Sequence, residues 1–154
     1  MGLCHMRFLF SVFLIAVGFV PVRAEEVYLS CQVTQIVAKE GEGSSDSKLK
    51  KIQKFLDKSE AAKKYKGLKF VNKKTLSATK QKSGSVKLKN GKTLKLKPVL
   101  VHRAQRKNNL TLEIDTGDGS EKKTFIDRDY LILNAGELDK KSDLVLAVSC
   151  PVFP

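Results

Sequence analysis

Histidine is nearly missing from this 154-residue chain: two occur, and only His102 lies beyond the N-terminal apolar stretch. A lone histidine has no partner set for Ser–His–Asp or Cys–His chemistry. His102, beside Arg103 at the end of an expected strand, is read as a solvent-facing residue. Cysteine is scarce too, with Cys4 ahead of the apolar stretch and Cys31 and Cys150 after it. Arginine beyond residue 24 is confined to Arg103, Arg106 and Arg128, and no aromatic residue falls between Phe70 and Phe125. Bidentate phosphate forks and base-stacking platforms are therefore thin, which argues against a nucleic acid partner. No glycine-rich phosphate loop precedes a helix, and no later segment is long and apolar enough to span a bilayer. Asp115-Thr116-Gly117-Asp118-Gly119 has the composition of a calcium loop without its ligand spacing, and reads as a hairpin turn. These absences rank an enzyme last among the function classes. No catalytic residue, metal or cofactor is expected.

The N-terminus has a clear order. Met1 to Arg7 is short and basic, Phe8 to Val20 is an apolar run interrupted only by Ser11, and Pro21-Val22-Arg23-Ala24 supplies small and branched residues. That is the layout of a secretory signal, with cleavage after Ala24. The apolar run of 13 residues falls short of the about 20 a membrane-crossing helix needs. Residues 1–24 are thus expected to be a signal peptide and residues 25–154 one β-rich domain, exported to the periplasm or beyond the cell. In such an oxidising compartment the two remaining cysteines should pair, Cys31 with Cys150, tying the first strand to the last.

What the chain has in abundance is lysine. The formal net charge is +13, and 21 basic residues face only Asp57 and Glu60 between Lys48 and Lys107. The flanks are mildly acidic, so the domain is bipolar in sequence. In the middle sits Gly84 to Leu100, a hairpin written in alternating lysine and aliphatic residues. If Lys89-Asn90-Gly91 forms a type I turn closed by Gly91 in the left-handed region, Val86 lies opposite Leu94 and Leu88 opposite Lys92. Val86, Leu88, Leu94 and Leu96 then share one face, and Lys87, Lys95 and Lys97 the other. A two-residue Asn-Gly turn would scramble both faces, because a one-residue slip swaps core for solvent.

Around the hairpin, Glu26 to Ala38 reads as a first strand with Val27, Leu29, Cys31 and Val33 in alternation. Leu49, Ile52, Phe55, Leu56, Ala62 and Tyr65 recur at helical spacing, with Ser45, Asp46 or Ser47 as N-cap and Gly67 as the stop. A break near Lys58 is allowed for. Strands are then expected at Leu68–Val71, Thr75–Lys80, Ser85–Lys89, Thr93–His102, Asn109–Asp115, Lys122–Ile126, Tyr130–Leu133 and Leu144–Cys150. The fold class is α+β, mostly β: an antiparallel β-sandwich or open barrel built as a meander, with one helix on the N-terminal side.

The segments Leu49–Leu56, Tyr65–Leu76, Ser85–Leu96, Asn109–Leu112 and Leu131–Ser149 resemble a family of small exported bacterial proteins of unknown function. That family shows a Lys-rich helix, a "K-T-L" segment, a "V-K-L-x-N-G-K-T-L-K-L" hairpin and a closing "L-I-L-A-I-S" strand. This chain departs from it at Asn134-Ala135-Gly136, where the family shows two glycines. The resemblance implies a strand order and no catalytic residue.

Two functional expectations follow. One is a non-catalytic structural or assembly module of the envelope, docking on a protein complex through an exposed edge strand. The other is weak binding of polyanions, namely anionic lipid, lipopolysaccharide or a wall polymer, through Lys87, Lys95 and Lys97, with Lys50, Lys51 and Lys54 adding to the same field. Lysines on strands also keep an exported β-protein soluble and its edges unpaired.

Overall fold

A computed structural model describes residues 28–41, 43–103 and 106–151. The expected signal peptide and its cleavage point therefore lie outside the described residues. Eight strands form two antiparallel sheets: β1 (Leu29–Lys39), β2 (Gly67–Ala78), β7 (Leu131–Asp139) and β8 (Ser142–Ser149) in one, and β3 (Gly84–Lys87), β4 (Thr93–Arg103), β5 (Asn108–Asp115) and β6 (Ser120–Ile126) in the other. The orders are β2-β1-β8-β7 and β3-β4-β5-β6, called here sheets A and B. Consecutive strands pair except where the chain changes sheet, after β2 and after β6, and β1 pairs with β8. The meander is thus a barrel flattened into a sandwich and open along two seams.

Period-two patterning builds the interior. Leu29, Cys31 and Val33 of β1 and Leu144, Leu146 and Val148 of β8 face Leu94, Leu96, Leu110, Leu112 and Ile114 of sheet B, all of them at 0% exposure. The alternate residues Ile36, Ala38, Val145 and Ala147 face the other way and pack under Leu49, Ile52, Leu56, Ala62 and Tyr65. The molecule accordingly has three layers: a helical cover, sheet A and sheet B. The cover is a 3-10 turn (Ser47–Leu49) and one short helix, α1 (Gln53–Lys58). Asp46 caps the first, its Oδ1 accepting from the Lys48 N–H at 3.0 Å. The expected break falls at Ser59, whose ψ of 129° is extended. Gly67 does not stop a helix. It opens β2 and is absent from the positive-φ residues.

The hairpin register is the bulged one. Val86 lies opposite Leu94, the Leu88 N–H donates to the Lys92 carbonyl at 2.8 Å, and Gly91 has a φ of +84°. Two expected boundaries move. Leu68–Val71 and Thr75–Lys80 fuse into β2, because the register shift opposite Gln35 and Ile36 lets pairing run on through Asn72-Lys73-Lys74. The segment read as a turn after Leu133 continues β7 to Asp139, with irregularities between Asn134 and Glu137 where Gly136 takes a φ of +93°. Cys31 and Cys150 are joined by a disulfide across 119 residues of chain, beside the Gln32–Ser149 pair of β1 and β8.

Candidate functional site

Lys87, Lys95 and Lys97 project from the outer face of sheet B, opposite the buried Leu94 and Leu96. They are not alone there. Register places Lys95 directly opposite Asp115 and Lys97 directly opposite Glu113, and opposed charges on one sheet face attract. Lys95, Lys97, Glu113 and Asp115 together line a shallow depression. Lys50, Lys51 and Lys54 belong to the helical cover, on the far side of sheet A. Two sheets therefore separate the two lysine groups, and they do not add to one field.

A different lysine surface emerges from the topology. No aspartate or glutamate occurs from Ala61 to Leu112, and that run supplies β2, β3 and β4. β2 is the edge of sheet A and β3 the edge of sheet B, and the two edges meet along one seam. Lys74 Nζ donates across it to the Lys87 carbonyl at 3.1 Å. Lys73 stands beside it on β2, and Lys80 and Lys82 lie in the connection. Gly84 seals the seam from within: a Cβ there would meet the Ser77 carbonyl oxygen at 2.5 Å and Leu76 Cδ1 at 2.6 Å. The described acids lie elsewhere: Glu40, Asp46, Asp57 and Glu60 come before β2, and the others are on β5 to β8 and their turns.

At one end of the sandwich the sheets part. β1 and β2 run 11 and 12 residues but β3 only four. The hairpin tip that follows β3 crosses the end of sheet A strand by strand. Gln35 of β1, at 0% exposure, fixes the crossing: its Oε1 accepts from the Lys89 N–H at 2.8 Å, and its Nε2 donates to Asn72 Oδ1 at 3.0 Å. Asn90 Nδ2 then reaches the Ala135 carbonyl of β7 at 2.9 Å. Beyond this bar the inner face of sheet A continues uncovered. Val37 and Lys39 of β1, Lys69 and Val71 of β2, Leu138 and Asp139 of β7, and Lys89 overhead line a half-open cavity of about 600 Å³. Three lysines and one aspartate thus line it together with the apolar Val37, Val71 and Leu138. Among the described residues none of these lysines has a carboxylate within 4.0 Å. Glu42 lies outside the described residues. The Asp139 carboxyl is held below its usual range, first by the Lys141 backbone N–H and then by Ser142, with Lys39 a smaller contributor.

Sequence reading did not assemble Lys39, Lys69 and Lys89, although one signal was visible. The core-facing row of β1 runs Leu29, Cys31, Val33, Gln35, Val37, Lys39, so its second half carries two polar residues, Gln35 and Lys39, in inward-facing positions.

A second polar cluster lies under the helical cover. The Tyr65 hydroxyl donates to Asp143, and Asn134 Nδ2 donates to the Tyr65 oxygen at 3.1 Å. Burial, and then the Asp143 hydrogen bond, push the Tyr65 phenol above its ordinary range. Tyr65 in turn, ahead of Glu40, raises Lys64, which stands 3.5 Å from Glu40. The cluster locks the cover to β7 and β8. His102 is exposed at the end of β4, opposite Asn109. Asp115 to Gly119 is the β5–β6 turn, where Asp115 Oδ1 accepts from the Gly117 N–H at 2.7 Å and Asp118 pairs with Lys92 at 2.5 Å. No family model, no curated protein and no solved structure matches this chain, so its function has to be argued from these surfaces alone.

Proposed function

We propose that the chain is an exported, non-catalytic interaction module of the cell envelope, periplasmic or extracellular, that holds an anionic lipid or polymer on its β2–β3 side. One observation carries this reading. The acid-free run from Ala61 to Leu112 supplies both edge strands that meet at this seam, so lysines accumulate there without the opposed carboxylates found next to Lys95 and Lys97. Lysine is a strongly hydrated point charge, suited to loose counterion-releasing contact with an anionic surface and poorly suited to a forked, specific grip. The Cys31–Cys150 bond supports export, since such bonds persist in oxidising compartments. Nucleic acid fits poorly, because three arginines and few aromatics give little to fork or stack with.

Vesicle co-sedimentation of the mature protein tests the reading. Binding is expected to vesicles containing anionic lipid, or to an acidic wall polymer, and not to zwitterionic vesicles, and it should fade with added salt. Equal recovery with neutral vesicles, or none with any anionic surface, would remove the proposal. A salt-stable protein captured from the envelope fraction would favour docking through an edge strand instead. Intact mass of the exported form should correspond to a chain starting at Glu25.

A further inference from the structure

We infer that the uncovered end of sheet A is a site for one anionic phospholipid molecule, its phosphate among Lys39, Lys69 and Lys89 and its first acyl carbons on Val37, Val71 and Leu138. The inference rests on the anionic-surface reading and narrows it to a place and a ligand.

The placement of Lys39 is the first reason. An inward-pointing lysine on an edge strand is a known guard against sheet-to-sheet pairing, and this accounts for Lys69 on β2. It does not account for Lys39, which sits on β1 between β2 and β8. A lysine in the core-facing row of a central strand needs a solvated space or a partner. The strand-length mismatch supplies the space, and Gln35 holds it open by pinning the hairpin tip short of the sheet's end.

The lining chooses the ligand. Lys39, Lys69 and Lys89 against Asp139 leave an excess of positive charge at the rim, while Val37, Val71 and Leu138 make the floor apolar. A bare inorganic anion would use only the lysines. A polyhydroxylated polymer would lose hydration over the apolar floor without replacing it. An extended acidic peptide finds little free backbone here: β1 is paired on both sides, with Gly67 to Phe70 of β2 and with Ser142 to Val145 of β8, and the outer edge of β2 is met by Ser45 and Asp46, whose N–H donates to the Leu68 carbonyl at 2.8 Å. An anionic headgroup joined to a short length of hydrocarbon matches both halves of the lining. The cavity, at about 600 Å³, lies within the size range of small-molecule sites, roughly 300–1,000 Å³. Because it is continuous with the β2–β3 side through Lys69 and Lys89, a lipid could enter it from a membrane the protein already touches.

The test uses dihexanoyl phosphatidic acid below its micellar concentration, titrated into the mature protein and followed by methyl NMR and calorimetry. Inorganic phosphate, dihexanoyl phosphatidylcholine and anionic vesicles serve as parallel probes. Expected are one-to-one saturation and methyl shifts confined to Val37, Val71 and Leu138. The Lys39→Gln/Lys69→Gln variant should lose affinity roughly tenfold or more, on the scale of lysine–anionic-lipid contacts. Val37→Thr keeps the strand-compatible branching and should weaken the soluble lipid. Anionic vesicles adsorbing while those methyls stay unmoved would overturn the lipid site and spare the surface reading. No binding to either form would remove both. Shifts of equal size with inorganic phosphate would make it a plain anion site, and with phosphatidylcholine an apolar groove; either outcome overturns the inference.

Discussion

At the scale of single residues, the fold depends on close contacts that tolerate no extra atom and on groups whose protonation is tied to folding. Gly84 lies against the Ser77 carbonyl, where an added Cβ would stand 2.5 Å from backbone oxygen. Backbone cannot yield as a flexible side chain does, so Gly84→Ala should cost about 1–3 kcal/mol, as overpacking typically does. Denaturant titration checks it, and an unchanged midpoint would mean the seam between β2 and β3 is looser than described. Tyr65 supplies a pH test. Its folded-state phenol is raised, by burial first and by Asp143 second. The native state therefore keeps a proton that the unfolded chain releases above about pH 10. Stability from this group is complete below that pH and is lost as pH rises through the folded value. Lys64, raised first by Tyr65, titrates with the same sign in the same alkaline window. Tyr65→Phe should flatten the alkaline fall in melting temperature. It should also lower neutral-pH stability by about 1 kcal/mol, through the lost hydrogen bond. An unaltered alkaline slope would contradict the assignment.

At the scale of elements, much was legible because periodicity survives tertiary packing. Of the stripe Leu49, Ile52, Phe55, Leu56, Ala62, Tyr65 predicted from helical spacing, all but Phe55 cover Ile36, Ala38, Val145 and Ala147, and Phe55 is half-buried beside Tyr130. This holds even though the segment is broken into a 3-10 turn, a six-residue helix and further turns. Leu56→Ala should therefore cost about 2–5 kcal/mol, whereas Lys54→Ala beside it should stay within about 0.5 kcal/mol; comparable losses in thermal melts would show that the cover is not packed as described. The hairpin register was legible for a different reason: only the bulged turn keeps the aliphatic residues on one face. Hidden from the sequence was whatever depends on neighbours. Asn72-Lys73-Lys74 looked like a break between two strands because polar residues interrupt the pattern, but on an edge strand both their outward and seam-facing positions reach solvent. Gly136 fell beyond the expected end of a strand at Leu133 and lies at a bulge within one. The lysines of the cover and of the hairpin looked like one field, since local sequence does not say that two sheets lie between them. The site at the end of sheet A was half visible, in the polar turn of the β1 inner row. The strand-length mismatch that exposes it appears only after assembly.

At the scale of the whole molecule, two features dominate, a covalent closure and a charge asymmetry. The disulfide joins the first strand to the strand that ends the chain's core, enclosing 119 residues of separation. In the chain-entropy model such a loop contributes about 4–5 kcal/mol by restricting the unfolded state. The Cys31→Ala/Cys150→Ala double variant should melt well below the parent, and thiol labelling of the denatured, unreduced parent should find no free cysteine in the mature chain. Two reactive thiols would contradict the closure. The charge asymmetry is the central functional claim, and the most direct measurement compares faces under salt. Partitioning onto anionic vesicles is followed from low ionic strength to about 0.15 M for the parent and two triple variants. One carries Lys73→Gln, Lys74→Gln and Lys87→Gln on the β2–β3 side; the other carries Lys50→Gln, Lys51→Gln and Lys54→Gln on the helical cover. Each lysine near an anionic membrane is worth about 1 kcal/mol. The first variant should thus lose up to about two orders of magnitude in partitioning and show a flatter salt dependence, while the second stays within about threefold of the parent. If the helical-cover variant loses as much as the β2–β3 variant, or neither loses anything, the β2–β3 side is not where this protein meets its partner.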